Sequence, residues 1–462
     1  MTEQFDVVCL GGGVAAEALA EGLADSGLTL AIVERELVGG ECPYWGCIPS
    51  KTLVRSGEVL AECGRARTLS ASRVEWDVDF GRIARRALWM ARDLDDSRPA
   101  AALQAKGATL IRGDGALLDA RTVRVGSRQL TATRGLVIAN GSVAAVPPID
   151  GLHLVEYWTN RQATLPAALP RSLAVLGGGP IGLELGQAYA RFGCQVTVIE
   201  AADHLLALEE PEVGAAIRTH LEAEGVTVHV ADPCIGIDRD AEGDLVCLRL
   251  RSGAEVRAER LLVATGRRPR VEAWQAAGLP QGDKGWLRVD PSTLEVTPGV
   301  FVAGDAAGLG GFTHLADYHG RVIARRLRGE DARASHSAVA RVTFTDPEVA
   351  SVGLSEAAAR ADGADVIVST SDPGETARGY IHDFHGGVLK LVADRRLGTL
   401  LGASILAPRA GEIIGELMLA IRVGTPIDTL ADLIHPFPAF SRMLNRSFAD
   451  LASMRRAPRA ER

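Results

Sequence analysis

Two glycine-rich turns, each set between apolar runs, constrain the fold of this chain more than any other feature. The first frame is FDVVCLGGGVAAEALAEGLADSGLTLAIVER, residues 5–35, and the second is SLAVLGGGPIGLELGQAYARFGCQVTVIEA, residues 172–201. In each, an apolar run predicts a buried strand, the glycines predict a tight turn, and the next residues predict a helix that leads to another strand. The first frame places its strand at Val7–Leu10 and its helix at Ala15–Leu23. The pattern therefore predicts two parallel βαβ units.

The spacing within both frames matches the fingerprint of a dinucleotide-binding unit. Glycine permits the tight turn and the close approach of a pyrophosphate, and the helix N-terminus offers free N–H groups to the phosphates. An acid about twenty residues later binds a ribose hydroxyl. The matching residues are Gly11, Gly13, Ala16 and Glu34 in the first frame, and Gly177, Gly179, Gly182 and Glu200 in the second. Two frames predict two dinucleotides, and hydride transfer from a nicotinamide to a flavin needs both.

The length and the patterning predict three domains. A chain of 462 residues has room for about three domains of ordinary size. The pattern predicts an α/β fold with two Rossmann-like dinucleotide-binding domains and a C-terminal α+β domain. The predicted boundaries are 1–145 and 270–335 for the first domain, 146–269 for the second and 336–462 for the third; the family resemblance given below implies FAD for the first, NAD(P) for the second and dimerisation for the third. Residues from about 55 to 110 are predicted to be helical, with an amphipathic stretch at 80–96.

Composition and charge exclude several classes of protein. The net charge of −8 argues against a general nucleic-acid binder, and the arginine-rich stretch 454–462 is expected to be a solvated chain end. No apolar run approaches the ~20 residues that span a bilayer, and no signal peptide precedes the first predicted strand. We therefore expect a cytoplasmic protein without membrane or nucleic-acid partners. Seven cysteines in a chain of this length do not make a disulfide scaffold.

The stretch GGECPYWGCIPSK, residues 39–51, brings Cys42 and Cys47 close together. In a reducing compartment a close pair of thiols is catalytic or metal-binding more often than structural. Zinc sites usually take four ligands, often from two cysteine pairs, and this chain has no second pair. A loop that enters a helix lets the two thiols meet, and a thiol at such a helix N-terminus is the reactive form. The residues alone thus favour a working disulfide over a metal site or ordinary core packing.

The same stretch resembles the redox-disulfide motif of the flavoprotein disulfide reductases, whose usual form is GGTCxNxGCxPSK. That family includes lipoamide dehydrogenase, glutathione reductase and mercuric reductase. The resemblance continues through VIANGS, VATGRRP and TPGVFVAGDAAG, and through TFTDPEVASVGL and LGASILAPRAGEII of the predicted dimerisation domain. Glu41, Tyr44, Trp45 and Asn140 stand at variant positions.

The resemblance implies a site residue by residue. Cys47 would face the flavin and Cys42 would meet the substrate, while Lys51 would lie near flavin N5, paired with Glu184. A homodimer would share each active site between its subunits. FAD would be held by Gly11, Gly13, Glu34, Gly40, Lys51, Gly115, Gly141 and Asp305, and NAD(P) by Gly177, Gly179, Gly182, Glu200 and Gly266. NADH is favoured over NADPH, because Ala201 and Ala202, and no arginine, follow Glu200 to meet a 2′-phosphate.

The C-terminal stretch HPFPAFSR, residues 435–442, departs from the family pattern HxHPTxSE. Aligned on Pro438 and Ser441, Phe437 takes the place of the acid/base histidine and Arg442 that of the glutamate. General acid–base help is worth about 10²–10⁴-fold, and phenylalanine supplies none. His435 is the candidate substitute, although a structural histidine is the favoured alternative. No cysteine follows Cys247, so the C-terminal cysteine pair of mercuric reductases is missing.

We therefore predict an FAD-dependent NAD(P)H oxidoreductase that passes electrons to the Cys42–Cys47 disulfide and on to a small acceptor, a disulfide or dithiol run in either direction. In one alternative, the flavin reduces a quinone or another electron acceptor directly, and the dithiol is vestigial or regulatory. A mercuric-reductase-like enzyme is another. A redox-sensing flavoprotein with little turnover is the remaining one. The cofactors implied are FAD and NAD(P)H.

Overall fold

The computed structural model describes residues 2–457, so part of the arginine-rich stretch, residues 458–462, lies outside the described residues. The strands are β1 (Thr2–Leu10), β2 (Leu30–Glu34), β3 (Ala108–Arg112), β4 (Gly115–Leu117), β5 (Thr122–Val125), β6 (Arg128–Ile138), β7 (Ser142–Ala144), β8 (Ser172–Leu176), β9 (Gln195–Ile199), β10 (Thr227–His229), β11 (Cys234–Arg239), β12 (Val246–Leu250), β13 (Glu255–Ala258), β14 (Arg260–Val263), β15 (Arg267–Pro269), β16 (Glu295–Thr297), β17 (Val300–Val302), β18 (Arg341–Thr343), β19 (Glu348–Gly353), β20 (Val366–Ser371), β21 (Val388–Asp394) and β22 (Thr399–Ala407).

The α-helices are α1 (Val14–Leu23), α2 (Glu41–Trp45), α3 (Cys47–Ser70), α4 (Phe80–Met90), α5 (Ser97–Ala105), α6 (Asn160–Thr164), α7 (Pro180–Arg191), α8 (Pro211–Ala223), α9 (Thr313–Leu327), α10 (Glu356–Ala361), α11 (Ala377–His382), α12 (Ala410–Val423), α13 (Ile427–Ala431) and α14 (Met443–Arg456). Helix formation between 55 and 110 is less continuous than predicted, because residues 71–79 are not helical and β3 begins at Ala108. Within residues 2–457, no helix has the length and apolar character that a membrane span requires.

The chain divides into two compact units. One unit contains the segment that ends at Thr52 together with Ala84–Val146 and Gly266–His336. The other contains Leu53–Ile83, Pro147–Thr265 and the chain from Ser337 onward. The finer boundaries proposed for three domains stay a prediction.

The first unit is built on a mostly parallel sheet with strand order β16-β17-β6-β1-β2-β3, to which the hairpin β4–β5 adds beside β6. Successive residues of β1 point to opposite faces of this sheet. Val7 and Cys9 belong to one apolar cluster with α1 and α9, whereas Val8 and Leu10 belong to a second cluster on the other face. Both faces are covered, which explains why this strand reads as a continuous apolar run. The predicted βαβ frame is confirmed here by β1, α1 and β2.

The second unit contains three sheets. The parallel sheet β10-β9-β8-β14 carries the second glycine frame, with α7 following β8. The sheet β11-β12-β13 is antiparallel, and so is the five-stranded sheet β18-β19-β22-β21-β20. Helices α12 and α14 pack on the five-stranded sheet through one apolar cluster. This arrangement confirms the predicted α/β class with a C-terminal α+β part.

A buried ion cluster fixes the position of α8 against the five-stranded sheet. Lys390 of β21 is only 4% exposed, and its Nζ lies 3.0 Å from Glu210 Oε2, 2.9 Å from Glu212 Oε1 and 2.9 Å from Glu356 Oε2. Burial alone would lower the pKa of Lys390, but the hydrogen bonds to the three carboxylates outweigh it and raise the pKa. The lysine is therefore held in its charged form, as a buried cation must be when it is fully paired.

Candidate active site

The first glycine turn leaves the end of α1 open to a ligand. Gly11 has φ of +110°, and a Cβ there would lie 2.3 Å from the carbonyl oxygen of Ala139, so only glycine fits. Gly13 precedes α1 without any side-chain cap. Gly40 packs so closely on Gly13 that a Cβ on Gly40 would lie 3.0 Å from the Gly13 Cα. The turn before the cysteine pair thus packs against Gly13, beside the N-terminus of α1.

Glu34 is the last residue of β2, and its carboxylate holds the glycine turn through backbone hydrogen bonds. Its Oε2 accepts the N–H of Gly12 at 2.7 Å and its Oε1 accepts the N–H of Glu36 at 2.6 Å. Burial raises the pKa of Glu34, and these N–H groups oppose the rise. Gly115 begins β4, where a Cβ would lie 2.5 Å from the Leu10 side chain, so it serves close packing beneath the turn.

The second glycine turn repeats the same geometry in the other unit. Gly177 has φ of +113° and would place a Cβ 2.5 Å from the carbonyl oxygen of Ala264. Gly179 precedes α7 without a side-chain cap, and a Cβ on Gly182 would lie 2.1 Å from the Gly177 oxygen. Glu200, directly after β9, accepts the N–H of Gly178 at 2.7 Å.

The Oε1 atom of Glu200 also accepts the N–H of Ala202, at 2.7 Å. Gly266, predicted for the nicotinamide set, has φ of +121° and opens the last segment of the first unit, where its carbonyl accepts the N–H of Ala145 at 2.9 Å. The nicotinamide assignments of all five residues stay a prediction.

Asp305 belongs to a polar cluster at the end of β17. Its Oδ2 accepts the Ser142 hydroxyl at 2.5 Å and lies 3.5 Å from Nε of Arg267. Arg267 also donates to the Ser142 hydroxyl and carbonyl oxygens, at 2.6 and 2.9 Å. Gly141, just before Ser142, has φ of +69° and no atom within 4 Å of a Cβ position, which leaves open space beside the cluster. Neither Ser142 nor Arg267 was identified from sequence.

The turn that carries Asp305 is anchored by a pair of histidines. The N–H of Gly304 donates to Nδ1 of His319 at 3.2 Å, so the proton of that ring sits on Nε2. Nε2 of His319 lies 2.9 Å from Nε2 of His336, which therefore accepts. Burial, and then the neighbouring His336, lowers the pKa of His319 to about 4. Both rings are neutral at physiological pH, and the hydrogen-bonded pair holds the turn at Gly304 in place.

The residues of the first unit fit a bound FAD. Asn140 Oδ1 is buried and has no hydrogen-bond partner among residues 2–457, which is the mark of an atom whose partner is a ligand. The glycines at 11, 13 and 40 leave the end of α1 uncovered, and a helix N-terminus suits a pyrophosphate. In the other unit, Gly179 likewise leaves the start of α7 without a side-chain cap, which suits the pyrophosphate of a second dinucleotide.

The cysteine pair lies where α2 meets α3. Cys42 is in α2 and Cys47 is the first residue of the 24-residue helix α3. The two thiols hydrogen-bond to each other. Sγ of Cys47 also lies 3.2 Å from Oγ1 of Thr313, the first residue of α9. Tyr44, between the cysteines, is fully buried and donates to the carbonyl of Val38 at 2.9 Å, which fixes the loop.

The surroundings separate the two thiols electrostatically. The hydrogen bond from Cys42, aided by Thr313 and by the positive charge of Lys51, lowers the pKa of Cys47 to about 6 against the effect of burial. The hydrogen bond to Cys47, burial and the charge of that thiolate raise the pKa of Cys42. Cys47 is therefore a thiolate at neutral pH while Cys42 keeps its proton. Among residues 2–457, no group of three or more histidine, cysteine or acidic side chains is placed to hold a metal ion.

Lys51 and Glu184, the predicted pair, lie in different units. Lys51 is one turn into α3 from Cys47, close enough to lower the pKa of that thiol. Glu184 is buried in α7, and its Oε1 accepts the N–H of Phe344 at 2.9 Å. The pairing of the two side chains stays a prediction.

The C-terminal segment places a phenylalanine where the family pattern has a base. The side chain of Phe437 is 71% exposed, and the guanidinium of Arg442 lies 5.7 Å from its ring centroid. His435 is only 7% exposed, and its Nε2 lies 3.0 Å from both carboxylate oxygens of Glu416 in α12. A histidine–carboxylate pair is thus present, built from a glutamate about twenty residues earlier in the chain.

Comparison with known proteins decides the family. Residues 5–323 match the sequence profile described as pyridine nucleotide-disulphide oxidoreductase, and residues 339–448 match the dimerisation domain of the same family. The chain belongs to this family. It is an FAD-dependent pyridine nucleotide-disulfide oxidoreductase, in which electrons pass from NAD(P)H through FAD to a disulfide.

Several relatives span nearly the whole chain. A mercuric reductase of Streptomyces lividans is 33% identical over 450 residues, which cover 95% of this chain and 94% of that protein. A dihydrolipoyl dehydrogenase of Haloferax volcanii is 29% identical over 450 residues, 94% of each chain. The solved structure of RclA, an HOCl-induced flavoprotein disulfide reductase of Escherichia coli, aligns with a TM-score of 0.84 and 28% identity, over 96% of this chain and 99% of that one.

Proposed function

We propose that Cys42 and Cys47 are the redox pair of this enzyme and that a small disulfide is its acceptor. The observation that carries the proposal is the asymmetry of the two thiols, since Cys47 has a pKa lowered to about 6 and Cys42 a raised one. A helix N-terminus, the Thr313 hydroxyl and the Lys51 charge favour a thiolate at Cys47 only. Neither metal binding nor ordinary core packing requires two thiols with different pKa values.

The roles of the two cysteines follow from this asymmetry. Cys47, the stable thiolate, is assigned to the flavin side, where bound FAD supplies hydride chemistry between the nicotinamide and the disulfide. Cys42, in the short helix α2 ahead of α3, is assigned to the substrate. Cys42 keeps its proton while Cys47 is a thiolate, so a base must take that proton before Cys42 attacks a disulfide. Phe437 cannot supply this base, and His435 is the candidate for it.

FAD is assigned to the first glycine turn, the Asp305 cluster and Lys51. The unpartnered Oδ1 of Asn140 and the uncapped start of α1 support this assignment. We keep the predicted set of Gly11, Gly13, Glu34, Gly40, Lys51, Gly115, Gly141 and Asp305, and the pairing of Lys51 with Glu184 beside the flavin.

NADH is proposed as the preferred reductant. Glu200 holds the ribose position at the end of β9, and its carboxylate is fixed by two backbone N–H groups. A carboxylate there accepts from a ribose 2′-hydroxyl and repels a 2′-phosphate. The ratio of kcat/KM for NADH to that for NADPH tests the choice, and a preference for NADPH would overturn it.

A homodimer that shares each active site is proposed, with the reaction in a reducing cytoplasm that suits a working dithiol. The match to a dimerisation domain supports it. Large apolar side chains on α12 and after α13 are exposed in the single chain, which is typical of a surface that another protein covers. They are Leu419, Val423 and Ile434.

His435, oriented by Glu416, is proposed as the group that handles a proton for the acceptor. Its pairing at 3.0 Å supports that role, whereas its burial supports a structural one. His435→Gln separates the two. Loss of about 10²-fold in kcat with unchanged thermal unfolding assigns it to proton transfer, and a lowered melting temperature with retained kcat assigns it to structure.

The Cys42→Ser variant tests the proposed acceptor. We expect it to abolish NADH-dependent reduction of a small disulfide. The exposed Phe437 in place of a base favours one competing function, reduction of a quinone directly by the flavin. Full NADH–quinone turnover in Cys42→Ser, with no disulfide turnover in the wild type, would support that function instead. Mercuric reductases are among the relatives, so a Hg(II) thiolate belongs in the same panel.

A further inference from the structure

A cavity of about 220 Å³ opens on the C-terminal unit beside Phe437. Its walls come from two segments, 371–378 at the end of β20 and the start of α11, and 437–446 leading into α14. Apart from Phe437, the proposed function involves no residue of this cavity. Its lining includes three arginines, Arg378, Arg442 and Arg446.

These arginines carry positive charge that the protein leaves uncompensated. Among residues 2–457, none of the three forms an ion pair with a carboxylate, and the protein contacts of Arg442 are the His435 carbonyl at 3.3 Å and the Phe437 ring. Elsewhere in the same unit arginines are paired, as where Arg341 holds Glu209 through two bonds of 2.9 and 3.0 Å. Three unpaired guanidinium groups around one cavity therefore point to an anion from outside the chain.

The two acids in the cavity wall, Asp372 and Glu375, offset part of this charge, and the three arginines leave the wall with a net charge of +1. The carboxylate of Asp372 accepts three backbone N–H groups, from Gly374 at 2.7 Å, Gly387 at 2.8 Å and Gly386 at 3.2 Å. Those bonds fix Asp372 in its own loop. Glu375, the other acid of the wall, is exposed to solvent.

We propose that this cavity binds the carboxylate of an anionic disulfide, so that the enzyme prefers acceptors with a negative group over neutral ones. Arginine presents a planar fork that matches a carboxylate, and the exposed Phe437 ring offers an apolar wall to the rest of the molecule. The inference rests on the proposed function, a homodimer with a shared active site, and it places the segment around Phe437 at the dithiol of the partner subunit. Where the family pattern has a histidine and a glutamate, this segment has Phe437 and Arg442.

The reaction balances with NADH as reductant. The Cys42 thiolate attacks one sulfur of the acceptor, its S–S bond breaks, and one thiolate leaves as Cys42 forms a mixed disulfide. Cys47 then attacks the Cys42 sulfur, which releases the second thiolate and restores the Cys42–Cys47 disulfide. One NADH and one proton are consumed for two thiols formed from one disulfide.

The test compares two aromatic disulfides of similar reactivity, dithiobis(nitrobenzoate), which is a dicarboxylate, and dithiodipyridine, which is neutral. The holoenzyme is assayed for NADH consumption and thiol release with each. The variants are Arg442→Gln, Arg446→Gln and the double variant, and the matched control is Arg251→Gln, an exposed arginine in a turn of another sheet. Arg442→Lys keeps the charge without the fork.

We expect the wild-type preference for the dicarboxylate, expressed as a ratio of kcat/KM values, to fall by about fivefold to tenfold per arginine, mainly through KM. Added salt should weaken the wild-type preference, since these arginines are solvent-accessible. The ratio should stay at its wild-type value in Arg251→Gln. An unchanged ratio in the double variant, while Cys42→Ser abolishes turnover of both disulfides, refutes the anion site alone. Wild-type disulfide turnover in Cys42→Ser refutes the proposed function itself.

Discussion

The Thr313→Val variant is expected to raise the pKa of the Cys47 thiol by about one to two units. The Thr313 hydroxyl lies 3.2 Å from the Cys47 sulfur and donates to it when the sulfur is a thiolate. A hydrogen bond to a charged group contributes about 1.5–3 kcal/mol, and one pKa unit corresponds to about 1.4 kcal/mol. Starting from a pKa of about 6, the variant should titrate near pH 7 to 8.

The consequence is a large change in the thiolate population at neutral pH. At pH 7 a thiol of pKa about 6 is roughly nine-tenths ionised, and a thiol of pKa 7 to 8 is about one-half to one-tenth ionised. The assay is the rate of iodoacetamide alkylation of Cys47 in the reduced enzyme as a function of pH, with the modified peptide quantified by mass spectrometry. Thr313→Ser keeps the hydroxyl and is the matched control, with an expected pKa close to that of the wild type. A Thr313→Val profile that superimposes on the wild-type profile would refute the reasoning.

Three further perturbations have defined outcomes. The pKa of His319 is lowered from its ordinary 6.5 to about 4, so the folded protein resists its protonation. The contribution of neutral His319 to the free energy of unfolding is fully present above pH 6.5 and falls by up to about 3 kcal/mol as the pH drops toward 4. Thermal unfolding at pH 7 and pH 5 should detect this loss, and the His319→Asn variant should show a smaller difference between the two pH values. Lys390→Met leaves three carboxylates without their cation and should cost about 3–5 kcal/mol in denaturant unfolding, whereas Glu212→Gln, at the exposed rim of the cluster, should cost far less. Glu200→Ala should lower kcat/KM for NADH and leave NADPH less affected; an equal loss for both would contradict the ribose assignment.

The fold was largely accessible from sequence because its main signals are local. The glycines at 11, 177 and 182 encode turns whose geometry excludes a Cβ, and the apolar runs beside them encode strands buried on both faces. The break at residues 71–79 was missed, since the amphipathic pattern on each side of it is the same whether one long helix or two shorter helices form.

The site was accessible only in part, because several of its contacts join residues that are distant in the chain. Thr313 meets Cys47 across 266 positions, and nothing in the sequence around a helix start indicates a thiol partner. Glu416 in α12 contacts His435, which lies in the segment after α13, so the replaced His–Glu motif did not indicate this histidine–carboxylate pair. Cys42 and Cys47 could be identified as a pair, but the separation of their pKa values depends on α3, α9 and Lys51 coming together.

Anaerobic titration of the FAD-loaded enzyme with NADH tests the central claim most directly. A Cys47 thiolate against the flavin predicts a long-wavelength charge-transfer absorbance after reduction by two electrons. The same account predicts that the band is absent in Cys47→Ser. In Thr313→Val, the band should appear with a higher pKa than in the wild type. Reduction of the flavin by NADH without any such band in the wild type would show that the dithiol does not take the electrons, and the account would be wrong.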